Sequence, residues 1–580
     1  MTAPAPLHKR LPFLSWPALD AHGWRTEALA GLTVGLMVIP QGVAYAVLAG
    51  MPPITGLYAS ILPAIVAALF SASPRLAVGP TALTCLLAGS SVAALAPAGS
   101  AQWAQLVMWL ALLSGALQVV LGLLRTGWLL NLVSSPVLMA FTQAAALLII
   151  ASQLPAMLGV SSLGAWLQGE AAVHLPTLAF GLGAIALMMI SRRISVSFPA
   201  VLVVMVGSAW LSTTLGFAAS GGATLGSLPA GLPALQWPEW PGLGVMEKLV
   251  LPALTITLVS FLETASSAKV DSERAGKPWD QDQDLIGQGL GKIASALVGA
   301  FPTSSSFSRS ALNLYAGART GWATIASALV VLMCLVVGLQ WMQPVPKSVL
   351  AAVVIIAVTG LLRPAHFTRL WRVSRVEAVL ALFTMVVTLW TAPNLYWGVL
   401  AGVLSGLIHF LYQRLHPRII EIGLHPDGSL RDRHLWKLPP LAPHLYALRM
   451  DDELDFASAA ALERSIIDHL ARHADVRHVC LFAQPINRID ATGVEVFAGL
   501  RARLAAQGVT LHISGIKLPV ERVLQRAGAL APDPWLRMYR ADAEALAALS
   551  ALSSATENAD QAAGAPTIQP SSGSSVAGKP

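Results

Sequence analysis

Residues 301–310 read Phe-Pro-Thr-Ser-Ser-Ser-Phe-Ser-Arg-Ser and lie between two apolar runs of the chain. The stretch holds a proline, six hydroxyl side chains and Arg309. Polar, irregular backbone persists at membrane depth only where protein or a water-filled cavity surrounds it. We therefore expect Pro302 to end a broken segment and a new helix to begin near Ser306. The start of that helix would present free N–H groups and about half a positive charge to an anion, beside Arg309. A polar loop with a snorkelling arginine is the alternative.

Composition places this stretch in a membrane protein. Of 580 residues, 55% are hydrophobic and 12% are charged, whereas soluble chains have about 25% charged residues. Low charge and long apolar runs indicate a polytopic α-helical membrane protein, embedded in a lipid bilayer. The net charge of +7 does not indicate nucleic acid binding, because the excess Lys and Arg fall on one set of loops. Three scattered cysteines (Cys85, Cys334 and Cys480) suggest neither a disulfide framework nor a metal site.

Hydropathy predicts 14 transmembrane segments, seven on each side of a Gly-, Pro- and Trp-rich loop at 217–244. The predicted segments are 25–48, 54–71, 80–95, 103–125, 130–158, 173–191, 197–216, 247–270, 283–300, 307–318, 321–342, 347–362, 376–392 and 394–412. If the N-terminus is cytosolic, nearly all positive loop residues lie inside. Both termini are then cytoplasmic, with residues 1–24 as a cytosolic lead-in.

Seven segments in each half give the halves opposite topology, the pattern of an inverted repeat with its site at the midplane. Segments three and ten occupy corresponding positions and are the shortest of their halves. Segment three follows Leu-Ala-Val-Gly-Pro-Thr-Ala-Leu at 76–83, and segment ten follows the stretch at 301–310. Two half-helices that enter from opposite sides would aim their N-termini at one gap, which would attract an anion. Gly79-Pro80 alone is also consistent with an ordinary helix start.

Several polar groups are predicted to line that gap. Gln41 and Tyr45 are four residues apart and share a face of the first helix, although interhelical hydrogen bonding explains either one equally well. The backbone at the two helix starts should supply donors from Thr81, Ala82, Leu83, Phe307, Ser308 and Arg309.

Glu263 is the second charge at membrane depth. An isolated carboxylate there is costly and would tend to stay protonated. Near Arg309 it could ionise when no substrate is bound and take up a proton when an anion competes for the arginine. A permanent Glu263–Arg309 ion pair is the structural alternative. Lys292, in the middle of segment nine, could add charge to the site, pair with an acid or snorkel, and the sequence does not choose among these.

The composition changes after residue 418. Alternating strand and helix patterns over 430–550 predict a small cytosolic α/β domain. Residues 551–580 are rich in Ala, Gly, Ser and Pro and are expected to be disordered.

Long motifs of the chain resemble the SulP family of anion permeases. Pro-Gln-Gly-Val-Ala-Tyr-Ala at 40–46, Val-Gly-Pro-Thr-Ala at 78–82 and Phe-Ser-Arg-Ser-Ala-Leu-Asn at 307–313 match its first, third and tenth helices, in order and spacing. Asp-Ala-Thr-Gly at 490–493 resembles the hallmark of its C-terminal STAS domain, and Thr492 matches a position that is phosphorylated in some STAS proteins. A helix N-cap without modification is the alternative for Thr492.

The resemblance implies a core (helices 1–4 and 8–11), a gate (helices 5–7 and 12–14), elevator-like movement of one against the other, and usually a dimer. It implies the transmembrane domain at 25–418, and it places an acidic residue at Glu263 in cation-coupled members. Ser267 resembles a second polar position of sodium-coupled members. At Lys292 the family more often has Asn.

The sequence and this resemblance thus predict a secondary transporter of a small oxyanion in a bacterial inner membrane. The Phe-Ser-Arg-Ser stretch and the Leu-Glu-Thr helix look most like bacterial sulfate permeases, so sulfate taken up with protons is the first candidate. Bicarbonate and C4-dicarboxylates compete as substrates, and sodium remains open as the coupling ion. A membrane sensor whose STAS domain contacts a cytosolic protein is the alternative from another class. No cofactor is expected, and the sequence has no paired nucleophile and base, no metal-ligand spacing and no cofactor loop that would indicate an enzyme.

Overall fold

The computed structural model describes residues 11–194, 200–226, 231–276 and 278–551. The chain divides into two compact units, Met1–Leu407 and Ile408–Pro580. Most of the predicted tail, residues 552–580, and residues 1–10 of the predicted lead-in lie outside the described residues.

The first unit is helical, and each predicted segment contains a helix. The helices are α1 (Ala21–Leu48), α2 (Thr55–Tyr58), α3 (Leu62–Phe70), α4 (Ala82–Val92), α5 (Ala101–Leu123), α6 (Ser135–Leu158), α7 (Leu163–Leu167), α8 (Leu175–Ile194), α9 (Ala200–Thr214), α10 (Leu243–Ala275), α11 (Gln281–Leu297), α12 (Phe307–Tyr315), α13 (Trp322–Met333), α14 (Leu339–Met342), α15 (Lys347–Thr359), α16 (Pro364–Val373), α17 (Arg375–Trp390) and α18 (Tyr396–Leu415). Within the described ranges, six helical stretches are long and apolar enough to cross a membrane, and shorter apolar helices fill other segments. The number of crossings stays a prediction.

Two segments differ from the continuous helices that hydropathy predicts. Segment two is broken into α2 and α3, because Pro63 in the first turn of α3 has no N–H to continue a helix from α2. Segment eleven passes from α13 through a π-helical turn at Cys334–Gly338 into α14. In addition, the positively charged loop between segments twelve and thirteen forms α16, a helix that hydropathy does not detect because histidine, threonine and arginine side chains interrupt its apolar residues.

Glu27 ties the start of α13 to α1. Its carboxylate is buried and accepts hydrogen bonds from the backbone N–H groups of Arg319 at 2.7 Å, Thr320 at 2.9 Å and Ala323 at 2.8 Å. No side chain caps α13 locally. The carboxylate from α1 therefore satisfies donors that a helix start would otherwise leave unpaired.

The second unit is an α/β domain built on one six-stranded sheet. The first unit contains two short strands, β1 (Val78–Gly79) and β2 (Ser304–Ser305), so the numbering here begins at β3. The strands of the second unit are β3 (Ile419–Leu424), β4 (Leu430–Asp432), β5 (Leu445–Met450), β6 (His478–Phe482), β7 (Thr510–Ser514) and β8 (Leu536–Tyr539), in the order β4-β3-β5-β6-β7-β8. β5 to β8 are parallel, and β3 is antiparallel to both of its neighbours. Its helices are α19 (Arg433–Trp436), α20 (Ala459–Arg472), α21 (Ala491–Ala506) and α22 (Leu518–Arg526). The strand patterns of the sequence correspond to β5, β6 and β7, whereas β3, β4 and β8 were not predicted.

A buried histidine lies on β7, between β6 and the edge strand β8. The ring of His512 on β7 lies 3.2 Å from Nδ1 of His478 and 3.0 Å from the Tyr539 hydroxyl. Burial, assisted by the positive charges of His478 and Arg537, lowers the pKa of His512 from its ordinary 6.5 to about 4. The imidazole is therefore neutral in the folded domain at neutral pH.

Candidate functional site

Two short strands bring the starts of α4 and α12 together. β1 (Val78–Gly79) pairs antiparallel with β2 (Ser304–Ser305), with Val78 opposite Ser305 and Gly79 opposite Ser304. The helices begin directly after these strands, with Thr81 and Ser306 as their N-cap residues, and neither side chain caps its own helix. The positive ends of both helix dipoles, with first-turn N–H groups that have no side-chain cap, therefore lie on either side of one small sheet.

Arg309 joins the two halves of this arrangement. It lies in the first turn of α12, and its side chain is 1% exposed. One terminal nitrogen donates to the carbonyl oxygen of Pro80 at 2.8 Å, and the other donates to Oε1 of Gln41 at 3.3 Å. Its Nε is buried without a hydrogen-bond partner. The guanidinium is thus held by neutral oxygens, and its Nε–H has no acceptor.

Glu263 on α10 contacts the start of α4. Its carboxylate accepts a hydrogen bond from the Thr81 hydroxyl at 3.0 Å, and it also interacts with Ser304 on β2. The salt bridges among the described residues do not include a Glu263–Arg309 pair, although the two charges interact electrostatically. In this conformation the permanent ion pair proposed as a structural alternative is therefore absent.

The first helix contributes the predicted polar face. Gln41 and Tyr45 are both buried on α1. Gln41 accepts from Arg309, and the Tyr45 phenol interacts electrostatically with the same guanidinium. The glycines of this region allow α1 and α2 to touch, since a Cβ on Gly56 would stand only 1.9 Å from the Gly42 carbonyl oxygen.

The remaining predicted residues differ in how deeply their side chains are buried. Ala82 and Leu83 are buried at the start of α4. Phe307 and Ser308 begin α12 but have exposed side chains, so only their backbone shares the helix start with Arg309. Ser267 is buried and donates to the carbonyl oxygen of Glu263 on its own helix at 3.4 Å. Its hydroxyl is therefore engaged with backbone rather than with the Glu263 carboxylate.

Lys292 on α11 is fully buried and does not snorkel. Its ammonium donates to Oε1 of Gln118 and to the Ser260 hydroxyl, each at 2.7 Å. Sequence reasoning missed Gln118, Ser260 and Ser304. The detectable signal was a polar stripe on α10 at Ser260, Thr264 and Ser267, whose spacing matches one buried helix face.

Two apolar cavities of the first unit do not fit an anion. A cavity of about 800 Å³ between α8 and α9 and one of about 500 Å³ beside Trp341 are lined almost wholly by apolar side chains. An oxyanion needs hydrogen-bond donors when it leaves water. No group of His, Cys, Asp and Glu residues in the described ranges is arranged to hold a metal ion.

Thr492 in the second unit is not a helix cap. Asp490 is the N-cap of α21, and its Oδ1 accepts from the Gly493 N–H at 2.8 Å. The alternative that assigned the cap to Thr492 is therefore wrong. The Thr492 side chain is exposed in the first turn of α21, and its modification stays a prediction.

Comparisons with known proteins relate the chain to a family and its fold. The model of the sulfate permease family matches residues 25–384, and that of the STAS domain matches residues 440–543. A probable sulfate transporter of Mycobacterium tuberculosis is 31% identical over 520 residues, which cover 87% of this chain and 92% of the relative. The solved structure of SLC26A9 superposes with a TM-score of 0.83 at 18% identity, covering 95% of this chain and 94% of that one. The transmembrane domain of a cyanobacterial bicarbonate transporter, BicA, gives a TM-score of 0.57 at 21% identity, covering 67% of this chain and 98% of that domain.

Proposed function

The chain belongs to the sulfate permease family, whose members are transporters rather than enzymes, and from that premise we propose that it carries sulfate into the cell together with protons. The anion binds between the starts of α4 and α12, beside Arg309. The chain lies in a bacterial inner membrane with both termini in the cytoplasm.

The buried guanidinium of Arg309 is the observation that supports this proposal best. It spans from α12 to Pro80 and Gln41 and retains an unpaired Nε. Buried arginine without a carboxylate partner is costly unless an anion or neutral oxygens compensate it. A sulfate oxygen that accepts from Nε, together with uncapped N–H groups of both helices, would supply that compensation and could still leave, because no second arginine holds it.

Glu263 couples the anion to a proton in this proposal. The carboxylate faces the same helix start through Thr81 and is within electrostatic reach of Arg309. A doubly charged anion beside Arg309 repels an ionised Glu263, so that protonation of Glu263 accompanies sulfate binding. Release of sulfate on the cytoplasmic side lets the proton leave as well.

Movement follows from the division into core and gate. Both half-helices, α1 and α10 belong to the core, so the site would move as a body relative to the gate in an elevator-type cycle. Two copies joined as a homodimer would hold the gates still. The second unit would then influence assembly, or bind a cytosolic protein, without touching the anion.

The decisive experiment is uptake by purified protein in liposomes, with sulfate, bicarbonate or fumarate offered at fixed pH and sodium. We expect sulfate to accumulate when the outside is acidic, and Arg309→Ala to abolish the accumulation. Preferred uptake of bicarbonate or fumarate would reassign the substrate within the family. No uptake of any anion by well-folded protein would favour the sensor alternative and reject the transport proposal.

A further inference from the structure

Lys292 is a buried charge that the transport cycle above does not use. It lies in the second half of α11 with no part of its side chain exposed. A lysine at this depth cannot reach water, and an uncompensated ammonium in a low-dielectric interior is strongly destabilising. Neighbouring groups must therefore accept hydrogen bonds from the ammonium and balance its charge.

The ammonium is held by neutral oxygens. Gln118 Oε1 on α5 and the Ser260 hydroxyl on α10 each lie 2.7 Å from Nζ. The Gln118 amide is fixed in this orientation, because its Nε2 donates to the Thr257 carbonyl oxygen at 3.3 Å and to the Ser260 hydroxyl oxygen at 3.2 Å. Two helices thus present oxygen atoms to a compact cation carried by a third, which is the ligand chemistry of a small hard metal ion.

The carboxylate of Glu263 supplies the negative charge that balances the Lys292 ammonium. Ser260 precedes Glu263 by one turn of α10, and the Lys292 and Glu263 charges interact electrostatically. The two side chains do not form a salt bridge within the described part of the chain. The Glu263 oxygens are consequently left to Thr81 and Ser304 at the two helix starts.

We propose that the Lys292 ammonium is a resident cation that takes the place of a coupling sodium ion beside Glu263, so that transport by this chain does not depend on sodium. The inference rests on the proposed function, because it concerns the charge balance of that same site. A lysine is covalently fixed, so it supplies the positive charge without moving down any gradient.

The charge balance explains why such a residue matters. Arg309 and Lys292 contribute two positive charges and Glu263 contributes one negative charge. With sulfate bound, one negative charge remains, and protonation of Glu263 removes it. Without Lys292 the loaded site would need one more cation from solution, and the vacated oxygens of Gln118 and Ser260 would be available to bind it.

The test measures sulfate uptake by the full-length protein in liposomes, with sodium replaced by N-methylglucamine on both sides. We expect wild-type uptake to change by less than about twofold. We expect uptake by Lys292→Asn to fall at least about tenfold without sodium, which is about 1.4 kcal/mol, and to recover with added sodium. Lys248→Asn, which alters an exposed lysine of α10, is the control and should stay sodium-independent.

Either of two results overturns the inference: wild-type uptake stimulated several-fold by sodium, or Lys292→Asn transporting at the wild-type rate without sodium. If Lys292→Asn does not fold, Lys292→Gln replaces it, and sodium-stimulated uptake by the wild-type protein would overturn the inference independently of both. If wild-type protein transports no anion, the proposed function fails, and thermal unfolding takes over as the readout. Sodium should then raise the unfolding temperature of the lysine variant but not that of wild type, and the reverse pattern would reject the resident cation.

Discussion

Removal of the Arg309 guanidinium tests the binding site. Arg309→Ala deletes the charge between the two helix starts and leaves the Pro80 carbonyl and Gln41 without their donor. Hydrogen bonds to charged groups contribute about 1.5–3 kcal/mol each, and loss of a buried charged partner in a complex costs about 2–5 kcal/mol. We therefore expect sulfate affinity to fall by about 2–4 kcal/mol, which is about 30- to 800-fold in Kd.

Equilibrium binding of radiolabelled sulfate to purified protein measures this loss directly. Arg309→Lys keeps a positive charge but cannot span Pro80 and Gln41 with one planar group, so its affinity should lie between those of wild type and Arg309→Ala. Arg369→Ala, on the exposed face of α16, is the matched control and should bind like wild type. Wild-type affinity in a well-folded Arg309→Ala protein would refute the reasoning and remove Arg309 from the site.

Three further predictions concern Glu263, Glu27 and His512. Glu263→Gln should abolish sulfate accumulation driven by a pH gradient while sparing sulfate–sulfate exchange in liposomes, and accumulation that survives intact would reject Glu263 as the coupling group. Glu27→Gln should lower the stability of the transmembrane unit by about 2–3 kcal/mol, because a neutral amide oxygen replaces a carboxylate that accepts three backbone N–H bonds; an unchanged thermal unfolding midpoint in detergent would contradict this. His512 has a pKa lowered from 6.5 to about 4 in the folded domain, so its contribution to stability is complete above pH 6.5 and is lost as the pH falls toward 4; His512→Asn should flatten the pH dependence of unfolding in that window, and an unaltered profile would show that another group dominates.

The sequence was sufficient to predict the helical segments because apolar length and periodicity determine them locally. It also predicted the break before α12, since a proline and a run of hydroxyl residues cannot continue a helix in lipid. It did not predict the break between α2 and α3, because Pro63 is a single residue inside an otherwise apolar run. It also did not predict β4, which has only three residues, or β3, which directly follows the positive residues Arg414 and Arg418.

The sequence indicated several residues of the candidate site but not the contacts between them. Arg309 and Glu263 are conspicuous charges in apolar surroundings, so the sequence draws attention to them. The sequence cannot show that both side chains reach the start of α4, because the pairing of β1 with β2 is a long-range contact. The position of Lys292 was open for the same reason: Gln118 and Ser260 lie on two other helices, far apart in the chain.

The central claim is that the starts of α4 and α12 form one anion site. The most direct test is a crystal structure of the protein soaked with selenate, an analogue of sulfate whose selenium can be located by anomalous scattering. We expect a selenium peak between the first turns of α4 and α12, within hydrogen-bond reach of Arg309. A peak elsewhere, with dry side-chain packing between those helix starts, would contradict it.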